Sequence, residues 1–146
     1  MSRPDLQIRG AGPTDIPLIR TIDPRLDDDL AHARFVARVL AMGESWLALV
    51  GDAPAGYALV SRHFFDRPFV DTLVVAPAHR RGGIGEALMA RCEAAHDDDR
   101  IFTSTNRSNR PMRALLAKAG WRESGVIHNL DLDDPELVFV KFRPSA

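Results

Sequence analysis

The stretch "VVAPAHRRGGIGEALMARCEAA", residues 74–95, constrains this chain more than any other. Glycine is costly inside a helix or a strand, yet Gly82, Gly83 and Gly85 separate a β-branched run from a helical pattern. Before them, "FVDTLVV" reads as a strand, and its near-continuous apolar character predicts cover on both faces. After them, Ile84, Ala87, Leu88, Cys92 and Ala95 recur at helical spacing and predict one apolar helix face. The next strand signal is "RIFTST", beyond the polar "DDD" at 97–99. Strand, turn, helix, strand is a βαβ crossover, which requires a parallel strand pair.

The flanks read as helices first and hairpins after. "LQIR" predicts a short strand, and "GPTDIPLIRTID" a short helix with Thr14 at its N-cap. "LDDDLAHARFVARVLAMG" predicts one longer helix, with Asp27, Asp28 and Asp29 at its positive end and Gly43 at its stop. "SWLALV" and "GYALVSRHF" are strands joined by the turn "GDAPA". "SNRPMRALLAKAG" predicts a helix with Met112, Leu115, Leu116 and Ala119 on one face. "RESGVIHNL" and "ELVFVKF" are closing strands around "DLDDP". The predicted order is β α α β β β α β α β β. It describes a single α/β domain over residues 1–146, a mixed sheet flanked by helices.

The glycine turn has a chemical use. A helix starting near Gly83 leaves several N–H groups without intrahelical partners, and the peptide dipoles reinforce their positive charge. Glycines let a ligand reach that backbone with no Cβ in the way. Arg80 and Arg81 add full charges at the same end. Together they predict a site for a di-anion such as a pyrophosphate. A nucleotide P-loop would follow its last glycine with Lys and Ser or Thr, whereas Gly85 is followed by Glu86 and Ala87. A dinucleotide fingerprint would place a small residue where Leu88 stands.

Composition narrows the partners. The net charge is −1, from 19 basic and 20 acidic residues, which argues against a nucleic-acid surface spread over the domain. The single cysteine, Cys92, excludes an intrachain disulfide and falls on an apolar helix face, so it reads as a core thiol. No apolar run approaches the ~20 residues a membrane helix needs, and "MSRPDLQIRG" lacks the apolar segment of a signal peptide. A cytoplasmic protein without a membrane partner is expected. The histidines at 32, 63, 79, 96 and 128 show no metal-ligand spacing, so no metal site is expected.

On these residues the chain resembles the GNAT N-acetyltransferase superfamily. "VVAPAHRRGGIGEALM" is similar to that family's acetyl-CoA pyrophosphate motif, with Arg80, Gly83 and Gly85 at its defining positions. "NRPMRALLAKAGW" resembles a second motif, with Asn109, Gly120 and Trp121 in place. The closing "SGVIHNLDLDDPELVFVKF" looks like the C-terminal strands of small bacterial members. The resemblance implies the acyl-CoA N-acyltransferase fold: a mostly antiparallel sheet with one splayed parallel pair and helices on both faces. It further implies acetyl-CoA as co-substrate, lying between "FVDTLVV" and "RIFTST". The backbone of Leu73, Val74 and Val75 would pair with the acetyl and pantetheine amides. Arg80, Arg81, Gly82, Gly83, Ile84, Gly85 and Glu86 would cradle the pyrophosphate, and Asn109 would reach the pantetheine arm. A β-branched residue at Gly83 or Gly85 should then weaken CoA affinity with little loss of fold.

The implied reaction is direct attack by a primary amine on the thioester, aided by strand amides around the oxyanion. Many members place a tyrosine seven residues after the Asn as general acid; here that residue is Leu116. The only tyrosine, Tyr57, lies on an earlier strand, and Ser108 is a substitute candidate. Where some members carry a glutamate base, this chain has Phe69. Asp71 lies two residues on and shares that strand face, so it is the candidate base. Phe64 and Phe65, in "RHFFDRPF", are candidates for the acceptor pocket, while Trp46 and Trp121 read as packing residues. The acceptor, a small molecule or a peptide amine, carries no sequence code, and a homodimer is compatible with the resemblance. The missing tyrosine leaves one alternative: a non-catalytic acyl-CoA-binding sensor or interaction module.

Overall fold

The computed structural model describes residues 5–144; "MSRP" at the start of the chain lies outside the described residues. The first strand, β1 (Leu6–Ala11), leads through a tight turn into α1 (Ile16–Ile22), α2 (Arg25–Asp28) and α3 (Leu30–Leu40). Then come β2 (Ser45–Val50), β3 (Ala53–Phe64) and β4 (Arg67–Val75), followed by α4 (Ile84–Ala94). The chain closes with β5 (Arg100–Asn106), α5 (Arg110–Lys118), β6 (Arg122–Ile127) and β7 (Glu136–Phe142). The seven strands form one sheet in the order β1-β2-β3-β4-β5-β7-β6. Only β4 and β5 run parallel; all other neighbours are antiparallel.

Two apolar clusters cover the sheet, one on each face. Strand alternation divides them: Tyr57 and Leu59 of β3 face one way, Ala58 and Val60 the other. On the first face they meet Ile19 and Ile22 of α1, Leu26 of α2, and Val36, Val39 and Leu40 of α3. On the second they meet Ile84, Leu88, Met89 and Cys92 of α4 and Leu116 of α5. Gly56 permits the close seat of α4, because a Cβ there would stand 2.8 Å from the Val74 carbonyl and 3.1 Å from Leu88. No helix among the described residues is long and apolar enough to cross a membrane.

Four expectations change. The long second helix is two helices, broken at Asp29, whose backbone is extended and whose side chain accepts the His32 amide at 3.0 Å. An aspartate there caps α3 better than it continues α2. The turn before α1 is tied by Asp15, which accepts the Gly12 amide at 2.9 Å and pairs with Arg9, and not by Thr14. On α4 the buried residues include Gly85 and Met89, while Ala95, just past the helix end, is exposed. The strand covered on both faces is β3, buried from Ala55 to Ser61; residues 71–75 of β4 are only half-buried. They face an open cleft.

Candidate functional site

The cleft begins where β4 and β5 part. Their ladder consists of Phe69 opposite Phe102 and Val70 opposite Thr103, and the Thr103 hydroxyl donates to the Val70 carbonyl at 2.8 Å. Beyond that point β4 has a partner strand on one side only, so its other edge is open from Asp71 to Val75. Asp71 itself is a bulge: Leu59 of β3 faces Thr72 and Val60 faces Val70, leaving Asp71 as the extra residue. A bulge twists its strand and interrupts pairing, and here it sits at the fork. The resulting cleft has a volume of about 1530 Å³.

At one end lies the glycine turn. Gly83 is left-handed with φ 81°, and so is Arg81 with φ 67°. The first helical bond is Ala87 N–H to the Gly83 carbonyl at 3.0 Å, so the amides of residues 81–86 donate to no protein group. Among the described residues neither Arg80 nor Arg81 is ion-paired, and Arg80 Nε reaches back to the Val75 carbonyl at 3.3 Å. Unpartnered amides and two guanidinium groups without a carboxylate at a helix N-terminus suit a di-anion. Gly85 is buried: a Cβ there would lie 3.0 Å from Leu115 Cδ1. A β-branched residue at 85 therefore crowds the α4–α5 contact as well as the ligand, which corrects the expectation of little loss of fold.

Leu73, Val74, Val75, Arg80, Arg81, Gly83, Ile84, Gly85, Glu86 and Asn109 all line this one cleft with Asp71; Gly82 does not. Asn109 has a structural task too, since its side-chain oxygen accepts the Met112 amide at 3.2 Å and caps α5. Leu116 is fully buried in the core, and the α5 residues that reach the cleft are Pro111, Met112 and Leu115. That helix offers the cleft no proton donor.

Asp71 is half-buried, and its Oδ2 has no hydrogen-bond partner. Burial pushes its carboxyl above the ordinary carboxylate range, while a Ser61 hydrogen bond and the charge of His63 pull the other way. It can take a proton near neutral pH more readily than a solvated aspartate.

Three sequence candidates fall away. Phe64 packs on Phe69 and Phe102, with ring centroids 4.9 and 5.1 Å apart, and Phe65 is 84% exposed at the hairpin tip. Neither lines the cleft. Aromatic clustering claimed the one and the tight turn the other. Ser108 donates to Asp134 Oδ2 at 2.6 Å and also stands outside the cleft. It ties the β6–β7 loop to the turn between β5 and α5.

The sequence reading missed two polar groups on the cleft wall. At the α1–α2 elbow, buried Asp23 accepts from the Tyr57 hydroxyl, from Arg25 Nε at 2.9 Å and Nη2 at 3.0 Å, and pairs with His32 Nε2 at 2.9 Å. Its carboxyl is held far below the usual range by those donors against the cost of burial, and the Tyr57 hydroxyl is pushed well up by burial and the same carboxylate. Across the fork, Ser104 of β5 donates to Glu136 Oε2 of β7 at 2.6 Å. The links from Asp23 to Tyr57 and from Ser104 to Glu136 are not visible at a fixed spacing, because each joins residues far apart in the chain.

The acetyltransferase (GNAT) family model matches residues 18–121. No curated protein matches the chain. A GNAT-family acetyltransferase from Bacillus cereus shares 25% identity with a TM-score of 0.87, over 96% of this chain and 99% of its own. The ribosomal-protein-S18-alanine N-acetyltransferase of Escherichia coli has 20% identity and a TM-score of 0.77, over 97% and 96%. Naa50 of Arabidopsis thaliana, solved with the bisubstrate analogue CoA-Ac-MVNAL, has 18% and 0.75, over 95% and 99%. The last two carry the fold alone.

Proposed function

The chain belongs to the acetyltransferase (GNAT) family, and from that premise we propose that it moves an acetyl group from acetyl-CoA to a primary amine by direct attack in a ternary complex. The observation that carries the reading is the coincidence of three features in one cleft. The fork opens at Asp71, the free edge of β4 runs from there, and the unpartnered amides of residues 81–86 close the far end. An extended pantetheine arm laid along Leu73 to Val75 behaves as an added strand. Its diphosphate meets the helix N-terminus beside Arg80 and Arg81. CoA analogues bound to a structural neighbour agree with this role for the fold.

The chemistry then needs little from side chains. The neutral amine nitrogen attacks the thioester carbonyl carbon, and the C–S bond breaks as the C–N bond forms. The surplus ammonium proton passes to the Asp71 carboxylate, directly or through one water. The thiolate leaves as such and takes a proton from solvent, since no tyrosine stands on α5. Positioning and strand amides around the carbonyl oxygen supply most of the acceleration.

Incubation with acetyl-CoA, a panel of primary amines and a thiol reagent tests the proposal. Amine-dependent release of CoA is expected. Tight CoA binding with no release across the panel would favour the sensor reading, which the leucine at 116 motivates.

A further inference from the structure

The carboxylates of this protein are not paired evenly. Among the described residues, those at least half-buried are Asp15, Asp23, Glu44, Asp71, Glu93, Asp98, Asp134 and Glu136. Asp15 pairs with Arg9, Asp23 with Arg25, Glu44 and Asp98 with Arg62, and Glu93 with Lys141. Asp71, Asp134 and Glu136 pair with no cation. Asp71 stands where the fork opens. Asp71 and Glu136 line the cleft, and Asp134 is joined to it through Asn106, whose amide donates to the Asp134 carbonyl at 3.1 Å.

The cations of the cleft are arranged the opposite way. Arg80 and Arg81 stand at the diphosphate end. The other arginine among the described residues lining the cleft, Arg25, is bound to Asp23. Asp71 has a use in the transfer; Glu136 has none. A half-buried carboxylate whose protein partner is one hydroxyl is a costly thing to keep unless a ligand completes it.

Resting on the transfer reading above, we propose that the acceptor carries a second ammonium group, held by Glu136 beside the Ser104 hydroxyl while the reacting amine lies at Asp71. The two carboxylates line the same cleft. Val70 facing Thr103 is the last rung, so Asp71 and Ser104 are the next residues on either side of the fork, and Ser104 holds the Glu136 carboxylate. The span is one widened strand spacing to two, roughly 5–10 Å. An alkyl chain of a few carbons crosses it. The second ammonium stays protonated and takes no part in bond-making.

The test compares cadaverine with n-hexylamine, its isostere lacking the second charge, at saturating acetyl-CoA. We expect kcat/KM for cadaverine to exceed that for n-hexylamine by about tenfold or more, the scale of a charge-assisted hydrogen bond. In Glu136→Gln that ratio should collapse towards unity, and a ratio is unaffected by any loss common to both amines. A second arm compares peptides with lysine or alanine after the N-terminal residue. Preference for lysine, lost in the same variant, supports the assignment with a peptide as the source. Equal rates in both arms, or a ratio that survives Glu136→Gln, overturn it. If CoA binds but no amine releases it, the transfer reading fails by itself. The two amines are then compared by thermal shift of the CoA-bound protein, where equal shifts overturn the second-ammonium site.

Discussion

Asp71 is a residue whose effect on stability and whose proposed role pull apart. Its carboxyl titrates higher folded than unfolded because burial disfavours the charge. Between those two pKa values the folded chain holds more protons than the unfolded one, so stability falls as pH rises through that window and the loss persists at neutrality. Asp71→Asn should therefore raise the Tm at neutral pH, with the gain vanishing in acid, while kcat falls and CoA affinity holds. Unchanged kcat and an unchanged pH–rate profile would retire Asp71 as the base. Arg81 shows a similar conflict, since a non-glycine residue at φ 67° is strained by ~1–2 kcal/mol. Arg81→Gly relieves that strain, partly offset by a freer unfolded chain. It should leave Tm level or higher but weaken CoA binding by roughly tenfold, as loss of a charged hydrogen bond would. Titration calorimetry beside a melting curve separates the two effects.

At the scale of elements, what was legible in the sequence is what is written locally. The α4 turn declares itself because glycines and arginines at 80–85 answer to nearest-neighbour geometry, and Asp71 could be found by counting from Phe69. The bulge could not, because it exists only in the register of β4 against β3. Nor could the cover of β4, whose apolar run lines an open cleft where an all-protein core was expected. The break between α2 and α3 was within reach: an aspartate three residues before His32 is a cap signal, hidden inside a run of three. Asp29→Ala should cost about 1 kcal/mol of stability, read as a lower midpoint in urea with an unchanged slope. Leu88→Ala, which empties the contact between α4 and β3, should cost ~2–5 kcal/mol. The Asp23 and Glu136 groups stayed hidden because their partners lie on other elements.

Over the whole molecule, acid is the expected weakness. Asp23 keeps a depressed pKa through its donors, so its stabilisation is present above the unfolded carboxylate pKa and lost as pH falls through the folded one. His96 adds to this. Its side chain is 7% exposed, neither ring nitrogen has a hydrogen-bond partner, and burial lowers its pKa among Asp98, Arg143, Arg62 and Glu44. The unfolded chain binds the His96 proton first, so stability drops as pH falls below about 6.5. His96→Met should raise the Tm more at about pH 5 than at about pH 8; an equal shift at both would show that the ring's charge is not the cause. The fork matters beyond the proposed catalysis. With Phe69 and Val70 as the only rungs between β4 and β5, the sheet has a seam, and α5, β6 and β7 hang from its far side. Any molecule long enough to bridge that seam acts as a splint. Deuterium uptake by β5 and β7 should slow when CoA is added, while β1, at the opposite edge of the sheet, keeps its exchange rate.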